Sequence, residues 1–210
     1  AGSDAQLQFV KFFAQFARGD QQLARVSALL SGELKLSSLA IDTDLRWELV
    51  TALAVGGKIS SELLDQELEG DNTANGQKYH VAAVAALPET SSKQAMFTKL
   101  VATDELSNAL VNSASLAFGR VLDPKILQPF VSQYFANVLK IWEDKTYHMA
   151  EYLLVNLYPL ALANKELVSA TEAFLAKAEV QSKPALRRII IENLANVERA
   201  LSAQQRDLKS

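Results

Sequence analysis

His80 and His148 are the side chains best suited to proton transfer or metal ligation near neutral pH, and they lie far apart in the chain. A helical zinc hydrolase site needs two histidines at i and i+4 with a glutamate beside them to activate water. That motif is absent from the sequence. His148 and Glu151 share a helix face at i, i+3, but two ligands do not hold a metal, so they read as a polar pair on a helix rim. His80, in QKYHVAAVAAL, reads as a hydrogen-bonded boundary residue on a packed helix. With no cysteine, the chain has no disulfide, thiolate nucleophile, Cys-based zinc site or iron–sulfur cluster. Its serines never sit in a G-x-S-x-G elbow, and no glycine-rich phosphate loop occurs.

The remaining polar clusters have structural readings. Asp42/Asp44 and Glu67/Glu69 fit helix caps and solvated faces rather than an opposed acid–base pair. Lys183, Arg187 and Arg188 form the densest basic group. An anion or peptide-carboxylate contact is one reading, and pairing of Arg188 with Glu192 at i+4 is the favoured one. Phe130, Tyr134, Phe135 and Trp142 recur at helical spacing and read as core.

Those residues need elements to hold them. The chain has 210 residues, of which 49% are hydrophobic and 21% charged, the balance of a globular protein. A net charge of −3 gives no global attraction to nucleic acid or anionic lipid, so neither is an expected partner. No apolar run is long enough to span a membrane, and AGSDAQLQFVKFFAQFARGD lacks the pattern of a secretory signal, so a cytoplasmic location is expected. The chain opens on Ala1, which fits either removal of an initiator Met or a piece cut from a longer protein.

Ala and Leu supply three residues in ten, and apolar residues recur at helical rather than strand spacing. Phe9, Phe12, Phe13 and Phe16 form one stripe at i, i+3, i+4 and i+7. Further stripes follow at Leu23/Val26/Leu29/Leu30, Leu45/Leu49/Ala52/Leu53, Leu106/Leu110/Ser113/Ala117 and Leu186/Ile190/Leu194/Val197/Leu201. Gly19, Gly32, Gly56-Gly57, Gly70, Pro88, Gly119 and Pro159 separate them. Asp20, Asp42 or Thr43, Asp104, Asp123 before Pro124, and Ser182 supply start signals. These boundaries predict ten or eleven helices, at 4–18, 20–31, 43–55, 60–69, 74–86, 91–102, 104–117, 123–143, 146–157, 164–179 and 183–206. Short links force antiparallel hairpins, and hairpins with one apolar stripe must stack to bury it. The expected architecture is all-α: a right-handed α-solenoid of the HEAT/armadillo kind, a single helical domain over residues 1–210. No fixed sequence period is visible.

Several segments carry a resemblance. They are DTDLRWELVTALAVGGKI, ELEGDNTANGQKYHVAAVAALPETSSKQAMF, DELSNALVNSASLAFGRV, LQPFVSQYFANVLKIWEDK and KPALRRIIIENLANVERAL. In this order, from about Asp42 to Arg206, they resemble the C-terminal helical domain of bacterial zinc-dependent aminopeptidase N. The markers are D-x-x-L-R-W (Asp42, Leu45, Arg46, Trp47), the turn Asp71 to Gly76, Pro88, and L-R-R-x-x-x-E from Leu186 to Glu192. The resemblance implies a parent enzyme that removes N-terminal residues from peptides, with zinc held in a separate catalytic domain by HExxH and the substrate amino terminus bound by a GAMEN-type loop. Neither motif occurs here, so no catalytic residue, metal ligand or cofactor is expected in this chain.

By the same resemblance, this chain is the C-terminal part of the helical domain, closing over the active-site chamber and limiting peptide access. Its expected partners are the parent's catalytic and other domains and the peptide substrate, with Arg46 and Arg120 as chamber-wall residues. Residues 1–41 would be an internal helix pair of a longer array. The stripe Phe9, Phe12, Phe13, Phe16 would then partly face a surface that the parent covers, and would favour self-association of this piece. A free-standing helical-repeat scaffold for a protein partner is the alternative, supported by the same stripes and caps.

Overall fold

The computed structural model describes residues 4–208. Among these residues it is all-helical, with twelve α-helices and two short 3-10 turns. The helices are α1 (Asp4–Phe16), α2 (Asp20–Ser31), α3 (Thr43–Val55), α4 (Ser61–Gly70), α5 (Ala74–Ala86) and α6 (Thr90–Ala102). They continue with α7 (Asn108–Phe118), α8 (Gln128–Asp144), α9 (Tyr147–Asn156), α10 (Lys165–Leu175), α11 (Ala178–Gln181) and α12 (Pro184–Asp207). The 3-10 turns are Pro124–Leu127 and Leu160–Leu162.

The starts follow local chemistry. Asp42, Ser60, Thr73 and Asn164 each accept a hydrogen bond from a backbone N–H in the first turn of the helix they precede. Two ends use left-handed glycines: Gly32 closes α2 at φ 81°, and Gly57, at φ 63°, reverses the chain after α3.

Several boundaries differ from the sequence expectation; the first helix, expected to reach residue 18, ends at Phe16. The helix expected from Asp104 begins at Asn108, with Ser107 at its N-cap, and the exposed Asp104 carboxylate pairs with Lys145 instead. The helix expected over 123–143 splits, since Asp123 caps a 3-10 turn at Lys125 and Pro129 restarts the chain as α8. The helix expected over 164–179 ends at Leu175, and α11 follows as a separate turn. Gly19, not Asp20, is the N-cap of α2, and the Gln22 side chain reaches back to accept from its N–H.

Packing arranges the helices in two rows. α1 lies on α3, α3 on α5, α5 on α7, α7 on α9 and α9 on α12. The second row, α2, α4, α6, α8 and α10, covers the first, each helix set against the next member of that row. Within the second row itself, from α2 to α10, direct contacts between neighbouring members are marginal. α5 and α7 share the most extensive interface. They carry fully buried small residues, Ala83, Ala85 and Ala86 on one helix and Ala114 and Ser115 on the other, which let backbones approach. Three apolar clusters run along the array. Leu30 and Ile59 link the first two, and Val84 links the second to the third. This is a stacked solenoid, the class that the stripes and short links predict.

Candidate functional site

One edge of the array gathers the C-terminal ends of α1, α3 and α7. Alternate helices of a hairpin array run parallel, so the carbonyl ends of the first row lie together and their dipoles favour cations there. Arg18 follows α1, and Arg120 follows Gly119, which closes α7. Both are exposed, and neither guanidinium forms an ion pair among the described residues. They line one cavity of about 260 Å³ with Ala14, Ala52, Val55 and Ala161. Arg120 also borders a second cavity of about 270 Å³ between α5 and α7, beside Lys78, Tyr79 and Leu116. Lys78 donates to Asn75 at 3.4 Å and meets no acid. The first cavity therefore carries two guanidiniums on an apolar floor, a setting for an anionic group.

Arg46 behaves differently. Its guanidinium forms a two-pronged pair with Glu67, Nε to Oε2 at 2.6 Å and Nη2 to Oε1 at 2.5 Å, tying α3 to α4. The carboxylate raises the Arg46 pKa, with partial burial opposing it. Next to it, Trp47 Nε1 donates to Asp71 Oδ2 at 2.9 Å, and Thr73 donates to the other Asp71 oxygen at 2.9 Å. Tyr79 lies against the Trp47 ring and donates to Asp44 at 3.2 Å. Burial and the Asp44 carboxylate push the Tyr79 pKa up. Gly76 is obligatory in this lock: a Cβ there would fall 1.8 Å from the Asp71 carbonyl oxygen. The D-x-x-L-R-W and D-N-T-A-N-G segments thus meet in space as one structural joint.

The histidines stay apart from each other. His80 Nε2 lies 2.7 Å from Asp65 Oδ1, the hydrogen-bonded boundary position expected of it. His148 is exposed and sits edge-on to the ring of Tyr147. Glu151, half-buried on the same helix, takes a hydrogen bond from Tyr147 at 3.5 Å. Among the described residues no group of three or more His, Cys, Asp or Glu could hold a metal ion. Arg188 pairs with Glu192 at 3.9 Å and Lys183 with Glu143 at 3.2 Å, which takes up two of the three densest basic groups. Phe130 and Tyr134 are fully buried, as expected of core.

Arg18 and Lys78 carried no signal in the sequence, because their placement depends on helices distant in the chain converging. Lys93 was equally silent. It lies in the polar run TSSKQ, yet it is fully buried.

The model of the ERAP1-like C-terminal domain family matches residues 1–199. The chain belongs to that family. It is also 35% identical over 207 residues to an aminopeptidase N of Streptomyces lividans, covering 99% of this chain and 24% of that protein. The chain thus spans about a quarter of the length of the curated relative it matches. Both matches take in residues before Asp42, which the sequence motifs had not reached. Membership of the ERAP1-like C-terminal domain family agrees with the all-helical solenoid seen among the described residues. No described helix is long and apolar enough to cross a membrane.

Proposed function

We propose that this chain is the non-catalytic C-terminal domain of a zinc aminopeptidase. It walls the chamber over a metal centre held in another domain, in the cytoplasm, and limits which peptides enter. Residues 1–210 act as one unit, partnered by the catalytic and other domains of the parent. The likeness to aminopeptidase N over almost the whole chain is the observation that carries this reading.

The packing supports it. A two-row array whose first row packs closely, and whose second row splays, curves toward the first row. The open face of that row is then a concave wall without reactive groups. Such a wall excludes bulk water from a neighbouring active site and admits only chains thin enough to thread past it. Arg46, locked to Glu67, stiffens the wall. Arg120, with Arg18 across the same cavity, meets a peptide carboxylate.

The test is titration of the chain with a decapeptide bearing a free or an amidated C-terminus, followed by amide chemical shifts. Weak binding of the free acid is expected, at least about tenfold weaker for the amide and for Arg120→Ala. Equal binding of the two peptides, or shifts confined to other helices, contradicts the carboxylate assignment.

A further inference from the structure

We propose that Lys93 is a positioning residue for the Arg18–Arg120 cavity, and that occupation of this cavity by a carboxylate is linked to protonation of the Lys93 amine. The linkage rests on the reading of that cavity as a carboxylate site. Geometry carries the connection. Lys93 Nζ donates to the carbonyl of Phe118 at 2.6 Å and to that of Ala85 at 2.7 Å. The peptide group that begins at the Phe118 carbonyl ends on the nitrogen of Gly119, and Gly119 and Arg120 both line the cavity. One peptide group therefore separates the buried amine from the cavity lining.

Two anchors hold this end of α7. The Phe118 ring is buried against Phe97 and Phe130, and Lys93 holds the carbonyl of the same residue. Past them the chain turns outward. The Arg120 N–H returns to the Ala117 carbonyl at 3.0 Å, while its guanidinium is left at the cavity. Where Arg120 stands is thus set by the residue whose carbonyl Lys93 grips.

Protonation changes that grip. A neutral amine has two N–H groups, enough for two carbonyls. The charged amine makes both bonds charge-assisted and gains a cation–π contact with the Phe118 ring. Burial lowers the pKa of this amine to about 7, so it changes charge near neutrality. On its own helix Glu89, one turn earlier, favours the charged form. Among the described residues α5 and α7 offer it the two carbonyls and the Phe118 ring, and α8 meets α6 through the uncharged pair Gln94 and Gln133. Arg18 and Arg120 stay charged throughout, as does a peptide carboxylate above about pH 5. An anion in the cavity favours the charged amine and raises its pKa, and by reciprocity the charged amine tightens anion binding. Affinity is therefore highest below pH 7 and falls as pH rises through the amine's titration.

The test follows the unaltered chain by nuclear magnetic resonance from pH 5.5 to pH 9, alone and with an N-acetylated decapeptide whose C-terminus is free or amidated. The Lys93 Cε resonance reports the amine, and the Gly119 amide and Arg120 Nε–H report the cavity. Without peptide, the Gly119 and Arg120 signals should titrate at the Lys93 midpoint. The free acid should raise that midpoint by roughly half to one pH unit and bind about three- to tenfold more tightly at pH 6 than at pH 8.5, and the amide should do neither. In Lys93→Met the pH dependence of acid binding should vanish, although His80 and His148 remain. Should that variant not fold, the measurements on the unaltered chain decide alone. Flat acid affinity across the range, or an unmoved Lys93 midpoint with the acid bound, overturns the linkage. An Arg120 signal that does not follow Lys93 overturns the positioning role. If neither peptide binds while Arg120 still follows Lys93, the carboxylate reading of the cavity fails and the positioning role stands.

Discussion

The amine of Lys93 donates to the carbonyl of Phe118, the last residue of α7, at 2.6 Å. It also donates to the carbonyl of Ala85, in the last turn of α5, at 2.7 Å. One side chain from α6 therefore satisfies carbonyls at the ends of the two helices with the largest interface in the array. Nζ lies 5.0 Å from the centre of the Phe118 ring, which adds a cation–π contact when the amine is charged.

Replacing Lys93 with Met keeps the volume and removes both donors. The Ala85 and Phe118 carbonyls then stay buried without partners, at a cost of about 1–3 kcal/mol for an unsatisfied group. Relief of the buried charge offsets part of that. A net loss of roughly 1–3 kcal/mol is expected in urea unfolding, with the slope unchanged. Equal stability of Lys93→Met and the parent chain would show that water replaces the amine.

Burial lowers the Lys93 pKa to about 7, with Glu89 partly opposing it. The unfolded chain therefore binds more protons at this site than the folded chain from about pH 7 up to the ordinary lysine value. The contribution of Lys93 is smallest below pH 7 and grows as pH rises through that window. The stability difference between the parent chain and Lys93→Met should thus widen from pH 7 to pH 9, by up to about 2 kcal/mol. Paired melts at pH 7, 8 and 9 measure it, and a difference that is flat or shrinks is the contrary outcome.

The joint between α3 and the turn before α5 is open to the same kind of test. Trp47→Phe leaves the ring in place but removes the N–H that meets Asp71, at a cost of about 1.5–3 kcal/mol for a bond to a charged group. Gly76→Ala should cost at least as much, because backbone rather than a flexible side chain stands where the methyl would go. Thermal unfolding of the two single variants and the double variant measures both. They share one turn, so their effects should add incompletely.

In the third core cluster, Tyr134 donates to the carbonyl of Leu154 at 2.6 Å, and Asn193 donates to the same carbonyl at 3.0 Å. Both side chains are buried, and burial pushes the Tyr134 pKa well above its ordinary value. Tyr134→Phe should cost about 1–2 kcal/mol, and Asn193→Leu at least as much because it also overfills a packed site. Alkaline difference spectroscopy at the tyrosinate band should show Tyr134 ionising only as the chain unfolds. An early tyrosinate signal present in the parent chain and lost in Tyr134→Phe would contradict the burial.

Much of the fold was legible because its determinants are local. Asp42 before L-R-W and the Gly56-Gly57 pair end or begin helices through bonds within a few residues, and the stripes at Leu23 and Leu186 are core in the structure. What escaped the sequence depends on distant segments meeting. Lys93 reads as a solvated lysine until the ends of α5 and α7 close over it. Asp104 reads as an N-cap, yet in the structure its exposed carboxylate pairs with Lys145, from a segment distant in the chain. Arg46 and Arg120 looked alike as arginines at helix ends. The fold gives one a carboxylate and leaves the other beside an open cavity. Phe13 shares a period with Phe12, yet the angular position of α1 on α3 turns one ring inward and the other outward.

Whether this chain is non-catalytic on its own is tested most directly by metal analysis of the purified chain combined with its turnover of an alanyl fluorogenic substrate in zinc-containing buffer. Far less than one zinc per chain and no turnover above background are expected. Stoichiometric zinc together with turnover that a chelator abolishes would contradict it.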